Sequence, residues 1–71
     1  AQPGEPELKA ALAFARRRRL GPYRAEPDRA GRRERDLAAL ARQGFAYELA
    51  RRVIDCRDPA ALEDEAAGSD A

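Results

Sequence analysis

The residues of this chain best equipped to hold something are arginines. Arg16-Arg17-Arg18-Arg19 form an unbroken run, and Arg51-Arg52 form a second, shorter one. A guanidinium is always charged and presents a planar fork of donors matched to carboxylate and phosphate. Four consecutive residues on a helix fan around roughly 300° at about 100° each. They cannot share one face, so some must lie along the core while others reach outward. Arg24, Arg29, Arg32 and Arg33 are candidates to extend the patch. The functional reading is contact with phosphate or with an acidic protein groove. The plain alternative is a solvated helix end.

The residue types that are missing narrow the chemistry further. The chain has no His, Thr, Asn, Trp or Met, and its one serine is Ser69. A nucleophilic triad needs a base that orients and accepts a proton, and no histidine is available for it. A structural metal site needs clustered ligands, and one cysteine without histidine supplies none. Glu63-Asp64-Glu65 reads as a solvated acidic tail rather than a cation site. No glycine-rich phosphate loop is present. Cys56 has two readings: a thiol activated by the neighbouring Arg57, or a half-buried small hydrophobe. Tyr23 and Tyr47 read as packing residues. A non-enzymatic binding module is expected, with no catalytic residue, metal, cofactor or small-molecule substrate.

The 71 residues are enough for one small domain. Seventeen are alanine, and the large apolar side chains are few: seven Leu, one Ile, one Val, two Phe and two Tyr. So thin a core suits a unit that packs against neighbours, and Ala1 in place of an initiating Met fits a cut chain. No apolar run approaches the ~18 residues of a membrane span, and no stretch is patterned as a signal peptide. A single cysteine excludes an internal disulfide framework, which points to a reducing, cytoplasmic setting. The net charge of +1 hides an asymmetry. Residues 1–57 hold all 14 basic and 8 acidic residues, whereas residues 58–71 hold 5 acidic and no basic ones. A basic body with an acidic tail suggests a polyanionic partner.

The elements that must position the arginines are helices, because Ala, Leu, Arg and Glu dominate and β-branched residues are nearly absent. Residues 1–6 are expected to be a flexible Pro/Gly lead-in. A first helix is expected from Glu7 to Leu20, with Leu8, Ala11, Leu12 and Ala15 on one face and Phe14 on a second. The arginine run suits the negative end of its dipole, Gly21 stops it, and Pro22 forbids an immediate restart. A second helix is expected from Asp28 to Gln43, its charged first half projecting beyond the core. Gly44 takes positive φ at its end. A third helix is expected from Ala46 to Arg57, carrying Phe45, Leu49, Ala50, Val53 and Ile54 inward and ended by Asp58-Pro59. Phe45 should be the most buried aromatic. Residues 58–71 read as an acidic, disordered tail, with Leu62 on at most a short extra turn. The result is an all-α, three-helix unit over residues 7–57 that resembles a helix–turn–helix. The third helix offers Glu48, Arg51, Arg52 and Asp55 but no Asn, Ser or Thr. It is a poor reader of base edges and better suited to non-specific phosphate contact.

Two stretches resemble a known family. Ala11-Leu12-Ala13-Phe14-Ala15-Arg16-Arg17-Arg18-Arg19-Leu20-Gly21-Pro22-Tyr23 resembles the start of the last repeat of the recombination regulator RecX. Arg35 to Asp55, with its Gly44-Phe45 turn followed by Leu49-Ala50-Arg51-Arg52, is similar to the rest of that repeat. The resemblance covers residues 8–55. It implies one C-terminal unit of a protein built from tandem three-helix repeats. It also implies binding to the RecA filament on single-stranded DNA, restraint of that filament, and contacts to neighbouring repeats of the same protein. On that reading Arg16 to Arg19, Arg51 and Arg52 are the residues expected to meet the partner. The rival expectation is a small helical module that contacts DNA phosphates on its own.

Overall fold

A computed structural model of the chain describes residues 6–67, with the side chain of Glu26 left aside. The fold is all-α. Helix α1 spans Pro6–Arg18, α2 Glu26–Arg29, α3 Arg33–Arg42, α4 Tyr47–Ile54 and α5 Pro59–Ala67. Single 3-10 turns lie at Gly21–Tyr23 and Ala30–Arg32. Helix α3 packs on α4, α1 crosses α4, and α5 lies against α1.

The apolar stripe on α1 is the one its spacing dictates: Leu8, Ala11, Leu12 and Ala15 are all buried. They meet Leu37 and Leu40 of α3 and Ala50, Val53 and Ile54 of α4. Burying a leucine or isoleucine in this way stabilises by about 1.5–3 kcal/mol each. Leu20 and Ala66 close the cluster. Ala41 is exposed, so the buried stripe of α3 is narrower than its sequence suggests.

Two helix ends share one geometry. At Gly44 (φ 103°) the chain turns left-handed. The Gly44 amide donates to the Ala41 carbonyl at 2.9 Å, and the Phe45 amide reaches back to the Leu40 carbonyl at 3.2 Å. This is a Schellman end with glycine at the left-handed position, as the Gln43-Gly44-Phe45 sequence implied. At the end of α1 the same motif is built on Arg19 (φ 58°) rather than on glycine. The Arg19 amide donates to the Arg16 carbonyl at 3.2 Å and the Leu20 amide to the Ala15 carbonyl at 2.8 Å. Helix α1 therefore ends at Arg18, two residues before the expected Leu20, and Leu20 turns inward to bury its side chain.

Gly21 has a different task from stopping the helix. Its φ is +55°, and a Cβ there would stand 2.9 Å from the Cα of Ile54. Only glycine lets the α1–α2 connector press its backbone against the end of α4.

Four further expectations need correction. The helix expected over Asp28 to Gln43 is broken into α2, a 3-10 turn through Gly31, and α3. The third helix ends at Ile54, three residues short of Arg57. Tyr47 is 56% exposed rather than packed, whereas Phe45, Phe14 and Tyr23 are half-buried against the core. The stretch expected to be disordered holds α5 over residues 59–67. Asp58 accepts from the Ala61 amide at 3.4 Å and Pro59 follows at the first helical position. An Asp before a Pro opens a helix as readily as it closes one. Ala66 is buried and Leu62 half-buried against the core. The expectations for residues 1–5 and 68–71 lie outside the described residues.

Candidate binding surface

The arginines divide into those that build the fold and those left exposed on its surface. Asp36 defines the first set. It is fully buried on α3. Its Oδ2 accepts from the Gly21 amide at 2.8 Å and from Arg24 Nε at 2.7 Å, while Oδ1 accepts from Arg24 Nη2 at 2.7 Å. Burial alone would push this carboxyl up, but the Arg24 fork and the Gly21 amide outweigh it and hold its pKa below the ordinary carboxylate value. Arg24 thus staples the connector after α1 to α3. Arg29 donates to the carbonyls of Ile54, at 2.8 Å, and of Cys56, placing a cation at the C-terminal end of α4 where the dipole favours it. Arg33 forks onto Asp55 at 2.7 and 2.8 Å, and this bond in turn lowers the Asp55 pKa.

Arg24, Arg29 and Arg33 therefore do not extend a free patch; each is engaged within the fold. The first half of the charged stretch does not project beyond the core either, since Asp36 sits at its base. One signal for this was present: Asp36 lies four residues before Leu40 and beside Leu37, on the apolar face of its own helix.

The second set is Arg16, Arg17, Arg18 and Arg19. All four are exposed, and none makes an ion pair among the described residues. Arg18 lies over the Phe14 ring at 5.1 Å, and that ring meets Phe45 at 6.3 Å between centroids. A guanidinium held over an aromatic face is oriented but keeps its edge free for an anion. Arg51 and Arg52 are exposed on α4 and share a groove of about 370 Å³ with Glu48, Asp55 and Cys56. Arg16 lines a different groove, of about 250 Å³, between α1 and α5. The expected residues are thus distributed over two regions rather than gathered in one. A third groove, of about 490 Å³, is lined by Arg29, Arg33 and Arg57 with Ala30, Ile54 and Asp55, and two of its three arginines are already occupied in holding α4.

The acidic end of the chain folds back onto the basic body. Tyr23 Oη donates to Glu63 Oε2 at 2.5 Å, and Arg52 Nη2 donates to Glu65 Oε1 at 2.8 Å. Burial and the Glu63 carboxylate push the Tyr23 pKa up. Tyr23 therefore packs toward α5 rather than only against the earlier helices. Cys56 is half-buried, and desolvation pushes its thiol up, which removes the activated-thiol reading and leaves a small hydrophobe. Among the described residues no group of three His, Cys, Asp or Glu is placed to hold a metal, and no helix is long and apolar enough to cross a membrane.

The structure is a small all-α body in which the half-buried Arg24 forks onto the buried Asp36 and four arginines stand exposed at the end of one helix. The chain belongs to the RecX family of regulatory proteins. It is 54% identical over 50 residues to regulatory protein RecX of Myxococcus xanthus (strain DK1622), a stretch covering 69% of this chain and 27% of that protein. It is 45% identical over 49 residues to regulatory protein RecX of Agrobacterium fabrum (strain C58 / ATCC 33970), covering 68% and 26%. The match spans about a quarter of the length of these curated relatives. No family model matches the chain, and no solved structure does.

Proposed function

We propose that this chain is one repeat, the C-terminal one, of a non-enzymatic, cytoplasmic regulator of homologous recombination that binds the RecA filament on single-stranded DNA and restrains it. Arg16 to Arg19 form the principal contact, and Arg51 and Arg52 form a second. The observation that carries this reading is the run of four exposed arginines at the end of α1, without ion pairs among the described residues, in a chain 54% identical to a named RecX regulator. The Schellman end on Arg19 supports it too. It turns the last arginine out of the helical path, so the run spreads over a corner instead of wrapping one cylinder. The test is binding of the purified chain to RecA filaments and to the bare strand, with filament ATP hydrolysis followed in parallel. Preferential binding to the filament with slower hydrolysis is expected. Equal binding to bare DNA would favour the alternative of a small helical module that contacts phosphates non-specifically.

A further inference from the structure

The fold places an acidic helix on the basic body, and its seating is light. Helix α5 contributes one fully buried side chain, Ala66, and the half-buried Leu62. The groove of about 250 Å³ beside it, lined by Lys9, Leu12, Arg16, Glu63 and Ala66 among others, leaves its contact with α1 incompletely filled. Glu63, Asp64 and Glu65 lie in its C-terminal half, where carboxylates oppose the helix dipole. An element with few buried apolar contacts and an unfavourable charge at its end opens at low cost. The carboxylates that seat it nonetheless meet the residues assigned above to the partner. Glu65 pairs with Arg52, and Glu63, held by Tyr23, lines one groove with Arg16 and Lys9.

We propose that α5 is a built-in competitor. Its carboxylates occupy, on Arg52 and beside Arg16, positions that the phosphates of a single strand would take, so docking of α5 and binding of the strand oppose each other. This rests on the reading of Arg16 and Arg52 as partner contacts. The strand releases α5 only to the extent that it binds the α5-free surface more tightly. An exposed ion pair opposes a competitor by a factor of only about 1.5–5. Glu65 supplies one such pair, with Arg52, so replacing both carboxylates should tighten binding by about 1.5–5-fold, and least at high salt.

The test uses the full chain and a 30-nucleotide oligothymidylate as probe. Binding is compared for wild type, for Glu63→Gln/Glu65→Gln, and for Glu7→Gln/Asp64→Asn. The last variant gains the same charge, from exposed acids that make no ion pair among the described residues. Amide exchange of residues 59–67 in the wild type is followed with and without saturating probe. The proposal expects tighter binding by the first variant than by either other protein, and faster exchange in α5 when the strand is bound. Equal affinity of the two variants, or slower exchange in α5 on binding, overturns it while leaving the arginine assignment standing. Absence of binding to the strand by all three proteins overturns the proposal and leaves the filament reading to its own test.

Discussion

Replacing Asp36 with alanine would leave Arg24 without its carboxylate and the Gly21 amide without an acceptor. Leaving a buried amide without its acceptor costs about 1–3 kcal/mol, and loss of the Arg24 fork adds to it, a large share of the stability of a domain this small. Asp36→Ala is therefore expected to melt well below wild type by circular dichroism. The same site sets a pH dependence. Asp36 and Asp55 both have folded pKa values below their ordinary ones. Their stabilisation is complete above the unfolded value near 3.9 and is lost as pH falls through the lower folded values. Urea midpoints should be level from pH 7 to about pH 5 and drop below about pH 4. Midpoints that hold steady down to pH 2 would contradict the staple. Arg19 carries the opposite prediction. A non-glycine residue in the left-handed region costs on the order of 1 kcal/mol or more, so Arg19→Gly should raise the melting temperature, by several degrees for a chain this short. An unchanged or lower melting temperature would argue against the Schellman end at Arg19.

At the scale of elements, the sequence disclosed whatever depended on period and punctuation. The α1 stripe, the Gly44 turn and the burial of Val53 and Ile54 on α4 follow from apolar spacing and from a glycine at a helix end. What it concealed depended on pairs distant in the chain. Gly21 is indispensable because of Ile54, Arg24 is structural because of Asp36, and α5 stays folded because α1 offers it a face. Of these partners Asp36 alone is signalled by local pattern, as an acid on the apolar face of its own helix. Asp58-Pro59 was legible only in part, since such a dipeptide can follow one helix or cap the next, and here it caps α5 after α4 has ended at Ile54. The two glycines separate these cases experimentally. At Gly44 an added Cβ meets open space, so Gly44→Ala should suffer backbone strain alone, about 1–3 kcal/mol. At Gly21 the same strain is joined by a clash with the Ile54 backbone, so Gly21→Ala should be the worse of the two in a urea melt. Equal losses would mean that the connector does not press on α4. Phe45→Ala, at a half-buried site, should cost less than the ~3–5 kcal/mol of a core phenylalanine.

At the scale of the whole molecule, charge is organised in three tiers. Arg24, Arg29 and Arg33 are engaged inside the fold, Arg52 meets α5, and Arg16 to Arg19 stand outside. A formal net charge of +1 conveys none of this, because Asp36, Asp55 and Glu65 each answer a particular arginine. The outermost tier is the one that the proposed filament contact uses. Exposed charges contribute little to stability, so replacing Arg16, Arg17, Arg18 and Arg19 with glutamine should leave the fold nearly intact. The most direct measurement is a salt titration of wild type and this four-glutamine variant against RecA filaments and bare single strands. The variant should bind the filament more weakly. Its slope of log affinity against log salt should be shallower by about 0.7 for each single-strand phosphate that it no longer neutralises. Equal affinity of the two proteins at every salt concentration would contradict the account and leave the arginine run as a solvated helix end.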